Sequence, residues 1–190
     1  MFALHPIDQA PWLAAVLADF DAFLLDHAAC ERKASAMALS LMLKFPDRDP
    51  LHEPMIQLAR EELSHFHRVF KLMQARGLRF ERDQKDPYLR ALLPHIRHGR
   101  DAALLDRLLL FGVVEARGQQ RFAALARGLP DPELRVFYDE IARSEARHAD
   151  LFYHLAAELL SEAMVIERLD FWLEREHAAI VAVPARAALH

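Results

Sequence analysis

What most constrains the folding of this chain is a duplicated set of ionisable residues on faces that are otherwise apolar. Glu62-Leu63-Ser64-His65 and Glu145-Ala146-Arg147-His148 are two Glu-x-x-His pairs. Residues three apart lie on one side of a helix. Met55, Leu58, Ala59, Phe66, Val69 and Met73 share that side with the first pair, and Leu134, Phe137, Tyr138, Ile141, Phe152 and Leu155 with the second. Both pairs therefore sit on core stripes. Glu61 lies about 100° around the helix from Glu62 and is set aside. Two single carboxylates, Glu31 among Leu24, Ala34, Ala38 and Met42, and Glu115 among Leu108, Phe111, Gly112 and Phe122, lie on apolar faces of their own. Glu31 precedes Glu62 by 31 residues and Glu115 precedes Glu145 by 30. The chain thus repeats one unit, Glu followed by Glu-x-x-His, with pseudo-twofold character.

The rest of the sequence shows how such faces are supported. Only 5 Gly and 10 Pro are present, gathered at Pro46 and Pro50, Gly77, Pro87 to Gly99, and Gly128 to Pro132, where helices are expected to stop. Between these marks apolar residues recur at three and four positions; strand-like alternation is missing and there is no Thr. The spacing predicts helices from about Trp12 to Phe45 with a break near Asp19, Pro54 to Arg76, Asp101 to Arg127, Pro132 to Leu160, and Ser161 to Ile180. Asp131 serves the fourth as N-cap and Pro132 as first helical residue. Gly77 to Arg100 is too long for an ordinary loop, with room for a short helix over Tyr88 to Arg97. A crossover running the length of a bundle explains it. The expected fold is one all-α domain over residues 1–190, a four-helix bundle with one long crossover and an additional C-terminal helix. The tail after Val181 is expected to fray.

Four buried carboxylates repel one another and stay ionised only beside compensating charge. Two divalent metal ions supply it. Oxygen and nitrogen donors from four Glu and two His suit iron or manganese, in the arrangement of ferritin-like carboxylate-bridged proteins. In that geometry Glu62 and Glu145 bridge, Glu31 and Glu115 are terminal, and each metal takes one His. A lone Glu-x-x-His is usually a surface pair; two with matched partners are not. His27, one turn before Glu31, fits either a hydrogen-bonding neighbour of that carboxylate or a satisfied core histidine. His67, His95, His98, His154 and His177 read as surface or loop residues. Met37, Met42, Met55 and Met73 read as core filler.

Composition narrows the function. A formal charge of −4 gives no global basic field. The single Cys30 excludes a disulfide framework and cysteine-rich metal sites, and fits a reducing cytoplasm. Met1 to Ala10 lacks the pattern of a secretory signal, and no run reaches about 18 uncharged apolar residues, so no membrane span is expected.

Asp26 to Ala34, Arg60-Glu61-Glu62-Leu63-Ser64-His65-Phe66, Glu115-Ala116-Arg117 and Ser144-Glu145-Ala146-Arg147-His148 resemble the tRNA 2-methylthio-N6-isopentenyladenosine hydroxylase family, MiaE, from about Trp12 to Ile180. The resemblance implies a monooxygenase that uses O2 to hydroxylate the isopentenyl group of the modified adenosine beside the anticodon in tRNA. It implies two iron ions held by Glu31, Glu62, His65, Glu115, Glu145 and His148, and two external electrons. With no cysteine cluster or glycine-rich dinucleotide fingerprint, a separate reductase or ferredoxin is expected to deliver them. From Arg76 to Arg107 eight Arg or Lys face five Asp or Glu, among them Arg76, Arg79, Arg82, Lys85, Arg90, Arg97 and Arg100. That segment reads equally as a phosphate grip and as a solvated loop. Arg117 with Arg121, and Arg143 with Arg147, are one-turn pairs that extend such a patch or meet nearby acids. Gly112 and Ala34 favour close helix packing over space for a small substrate. The rival function on the same ligands is an iron-oxidising or storage protein without an organic substrate. A radical-generating subunit would need a tyrosine such as Tyr138, two turns from Glu145.

Overall fold

The structure, a computed structural model, describes residues 2–80, 83 and 85–190. Arg82 of the basic segment lies outside the described residues. Among the described residues there are seven α-helices, one 3-10 turn and no strand: α1 (Ala10–Ala18), α2 (Phe20–Lys44), α3 (Asp49–Ala75), α4 (Pro87–Leu92), α5 (Arg100–Gly128), α6 (Pro132–Leu159) and α7 (Glu162–Ala182), with the 3-10 turn Leu93–His95 after α4.

Local chemistry sets most boundaries. The carboxylate of Asp19 accepts from the Ala22 amide and separates α1 from α2 at the expected break. Asp131 accepts from the amides of Glu133 and Leu134, with Pro132 in the first turn of α6. Ser161 caps α7 through the Met164 amide. The end of α3 needs Gly77 at φ 71°, where the Leu78 amide returns to the Met73 carbonyl and the Gly77 amide to Gln74; a Cβ is disfavoured in that left-handed turn. One boundary differs from expectation. Helix α3 starts at Asp49 rather than Pro54, so Pro54 lies inside it. Pro50 near the first position is the effective start signal, and Pro54, the sixth residue of α3, lacks the N–H that a residue there would return to the Pro50 carbonyl.

The described residues form two compact units. One comprises Pro11–Gln84 and Ala185–Leu189. Its frame is the α2–α3 hairpin, closed by the Ser35 hydroxyl donating to the Ala59 carbonyl at 2.8 Å. Leu24, Ala28, Ala38, Leu51, Met55, Val69 and Met73 fill its interior. The tail does not fray: Trp12 Nε1 donates to the Ala188 carbonyl at 2.8 Å, the Leu189 amide donates to Asp26 at 2.7 Å, and Leu189 is buried. Those two polar anchors hold backbone that the sequence pattern left unassigned.

The second unit comprises Met1–Ala10, Lys85–Pro184 and His190. It is built on the α5–α6 hairpin, with α7 against α5 and α4 against α7. At Gly112 α5 and α6 approach closely: a Cβ there would stand 3.2 Å from Phe152 Cβ and 3.3 Å from the Ala149 carbonyl. Close packing, not substrate space, explains this glycine. Asp106 takes Arg97 and Arg168 together, at 3.0 and 2.6 Å, and so ties the end of the crossover and α7 to α5. Burial works against its charge, but the two guanidiniums outweigh burial and hold its carboxyl below the usual range.

Candidate metal centre

Each unit carries one Glu and one Glu-x-x-His pair. In the α2–α3 unit, Glu31 projects from α2 and Glu62 and His65 from α3; all three are buried. His65 Nδ1 stands 3.5 Å from Glu31 Oε2 and 3.4 Å from Glu62 Oε2. The three residues offer ligand atoms within 4.8 Å of one another. Behind Glu31, the fully buried His27 places Nε2 at 2.6 Å from Oε1. Of the two readings open for His27, the structure takes the hydrogen-bonding neighbour.

In the α5–α6 unit, Glu115 projects from α5 and Glu145 and His148 from α6, again with ligand atoms within 4.8 Å of one another. Glu145 and His148 are buried. His148 Nδ1 lies 3.6 Å from Glu145 Oε2, and its Nε2 is 3.5 Å from the Ser144 hydroxyl, which accepts from Arg147 at 3.0 Å.

The electrostatics of the first triad favour a cation. Burial lowers the proton affinity of His65, yet hydrogen bonds and attraction from Glu31 and Glu62 override this and raise its pKa to about 10. Two carboxylates in a dry pocket demand a cation, and a proton on His65 is the weakest that meets the need. A divalent ion meets it better, because it leaves the imidazole neutral as a donor. The donor set, two carboxylates and one imidazole per unit, fits iron or manganese.

Other candidates fall outside the triads. Glu61 is only half-buried, and His67, His95, His98 and His154 are exposed. Tyr138 is fully buried with its ring stacked on Phe122 at 5.8 Å.

The arginine pairs divide. Arg143 is exposed and pairs with Asp139 on its own helix, but Arg117 and Arg121 are buried and do not extend a surface patch. Arg117 makes a bidentate pair with Glu176 of α7 at 2.7 and 2.8 Å, and also donates to Gln120 and the His5 carbonyl. The Tyr88 hydroxyl donates to the same Glu176 at 3.3 Å. Burial, then the negative charge of Glu176, pushes the Tyr88 phenol well above its ordinary value. The signal was present in the sequence: Arg117 follows Leu110 and Val113 on one face of α5, and Glu176 follows Leu169 and Trp172 on α7. In the basic segment Arg76 pairs with Asp21 and Arg97 with Asp106, while Arg79, Lys85 and Arg90 are exposed. Among the described residues no helix is long and apolar enough to cross a membrane.

In comparison with known proteins, the family described as tRNA-(MS[2]IO[6]A)-hydroxylase (MiaE) matches residues 3–190. A tRNA 2-(methylsulfanyl)-N(6)-isopentenyladenosine(37) hydroxylase of Pseudomonas putida is 40% identical over 152 residues, which is 80% of this chain and 74% of the relative. A protein of the same name from Salmonella typhimurium is 38% identical over 112 residues, 59% of this chain and 41% of that protein. Among solved structures, a protein from Synechococcus described as having aldehyde deformylating oxygenase activity superposes with a TM-score of 0.88 at 36% identity, covering 94% of this chain and 90% of the other. The all-α, ferritin-like fold class expected from the sequence holds.

Proposed function

This chain belongs to the tRNA-(MS[2]IO[6]A)-hydroxylase (MiaE) family, and on that premise we propose that it is a di-iron monooxygenase of tRNA. It hydroxylates the isopentenyl group of 2-methylthio-N6-isopentenyladenosine next to the anticodon, using O2. The observation that carries this reading is the pair of Glu and Glu-x-x-His triads, Glu31, Glu62 and His65 in one unit and Glu115, Glu145 and His148 in the other. We propose that these six residues hold two iron ions, so that residues 1–190 act as one functional domain. Iron bound there would supply activation of O2 for insertion of one oxygen atom into a C–H bond.

The chain's own residues create the conditions for that chemistry. The four carboxylates balance the charge of the metals, and His65 and His148 bind as neutral imidazoles. Leu24, Ala28 and Leu58 beside one triad and Ile141 and Phe152 beside the other exclude water, which protects a reactive oxidant from side reactions. Two electrons come from a separate reductase or ferredoxin, as Cys30 is the only cysteine. Exposed Arg79, Lys85 and Arg90 are suited to phosphate contacts. Action on tRNA places the protein in the cytoplasm.

The test is mass spectrometry of nucleosides from isopentenylated tRNA incubated with iron-loaded protein, O2 and a reductant, beside a Glu62→Ala control. A gain of one oxygen on the prenylated adenosine, absent in the control, is expected. Full iron occupancy with oxygen consumption but no gain would refute the hydroxylase reading and favour iron oxidation.

A further inference from the structure

The α2–α3 unit gathers aromatic side chains at its surface, beside a cleft. Phe66 and Phe70 lie one turn apart on α3 with ring centroids 6.0 Å apart. Phe80, just past the Gly77 turn, folds back on both: its ring centroid is 5.7 Å from each, with planes inclined at 27° and 5°. Phe80 keeps 36% of its surface exposed, and Leu63, one turn before Phe66, keeps 54%. Cations surround this ring. The Arg32 guanidinium of α2 stands 5.4 Å from its centre, and Lys33 and Arg79 are exposed. Phe80 is also a wall of a cleft of about 420 Å³, whose other sides include Leu25, Ala29 and Lys33 of α2 and Arg186 of the tail, all in the same unit. The acids that line it are engaged within the unit: Asp19 caps α2, Asp26 accepts from the Leu189 amide, and Asp83 accepts from Arg32 at 2.8 and 2.9 Å. The residues that α2 contributes to the cleft, Ala22, Asp26, Ala29 and Lys33, form one stripe, about 140–180° around the helix from Glu31. The cleft is therefore separate from the metal triad of its unit.

We infer that this cleft receives one unpaired nucleotide of the RNA substrate, other than the adenosine to be modified, with its base stacked on Phe80 and its phosphate beside Lys33. The volume falls within the range of small-ligand sites, about 300–1,000 Å³. The lining supplies what an unpaired nucleotide needs: an aromatic ring for the face of the base, small apolar residues beside it, and cations for the backbone. A double helix keeps its bases stacked on one another and offers none to Phe80, whereas a loop can turn one out. Phe66 and Phe70 support the Phe80 ring, so a stacking base does not have to order a free side chain. Phe66 directly follows His65 on α3. A base held on Phe80 thus fastens the RNA to the unit that carries Glu31, Glu62 and His65. The inference rests on the tRNA reading and adds to it a second point of grip.

The experiment is fluorescence anisotropy of the iron-loaded full chain, kept anaerobic, with a stem–loop RNA carrying the isopentenylated adenosine. A companion set of RNAs has one loop nucleotide at a time made abasic. Phe80→Ala should weaken binding of the intact RNA about 5–150-fold, the effect of losing one base–aromatic stack. Phe80→Leu, which keeps bulk but has no aromatic face, should lose most of the same affinity, and Phe80→Tyr should bind like the unaltered chain. One abasic position should weaken the unaltered chain by the same factor and have no further effect on Phe80→Ala; a merely structural role would weaken binding to every RNA alike. Lys33→Gln should lower the slope of log affinity against log salt concentration by about 0.7, while Phe80→Ala leaves that slope unchanged. If Phe80→Ala misfolds by circular dichroism, Phe80→Leu takes its place in the cycle. Equal binding by the folded Phe80 variants and the unaltered chain, or no abasic position coupled to Phe80, would overturn the inference while leaving the tRNA reading intact. Failure of the unaltered chain to bind the stem–loop would overturn both.

Discussion

Replacing Glu176 by Ala should be among the most damaging single changes outside the metal triads. Arg117 and Glu176 have no exposed side-chain surface, and two hydrogen bonds of 2.7 and 2.8 Å join them. Glu176 also accepts from Tyr88, and Arg121, buried nearby, has its pKa pressed down to about 10 by burial, a fall that the adjacent Arg117 charge deepens. Without Glu176, two guanidiniums remain in a dry pocket with their main counter-charge gone. Breaking a buried pair by removing one partner costs about 3–5 kcal/mol, a large part of the roughly 5–15 kcal/mol that holds a domain folded. At about 2–4 °C per kcal/mol for a chain of this size, Glu176→Ala should lower Tm by about 6–20 °C. The assay is thermal unfolding followed by circular dichroism, with Arg117→Met, Glu176→Met and the double variant as a cycle. The double variant should be more stable than either single one, because an apolar pair fills the space without an uncompensated charge. A fall of less than about 3 °C for Glu176→Ala, half the smallest loss expected from breaking a buried pair, or a double variant no better than its parents, would show that the pair does not carry this load.

Asp106 predicts an acid-dependent stability. Its folded pKa lies below the ordinary value, so its contribution is present above the unfolded value, about pH 4, and is lost as pH falls through the folded value. The stability gap between the unaltered chain and Asp106→Asn in urea should be full at about pH 7 and narrow below about pH 4; a gap that stays constant far into the acid range contradicts this. Gly112→Ala should destabilise by about 1–3 kcal/mol through overpacking, since the added Cβ meets Phe152 and the Ala149 carbonyl at 3.2 and 3.3 Å; an unchanged urea midpoint would mean that α5 and α6 separate freely there. Trp12→Phe removes the buried donor to Ala188 and should cost about 0.5–1.5 kcal/mol, with faster proteolysis of residues 185–190. Equal protease resistance would show that the tail is anchored elsewhere.

How much was legible in advance follows from the range of the forces involved. Helix type, the break at Asp19, the start of α6 at Pro132 and the membership of both Glu-x-x-His pairs in core stripes are set by contacts within about four residues, so the amino-acid order alone determines them. The start of α3 departs from expectation because Pro50 and Pro54 carry the same local signal, and only the register of the finished hairpin chooses between them. The tail after Val181 has no periodicity of its own; Trp12 and Asp26, distant in the chain, order it. Arg117 and Glu176 each continue an apolar face of their own helix, but only the packing of α7 against α5 makes them partners in a buried pair. His27 is visible as a residue one turn from Glu31, but a helix wheel does not say whether its ring meets the carboxylate. By itself the sequence determined which side chains share a helix face and the pattern of donors they offer, because helical periodicity is a local property. The tertiary structure alone decided which faces are buried together and that Arg117 meets Glu176, because burial and hydrogen-bond geometry there depend on residues far apart in the chain.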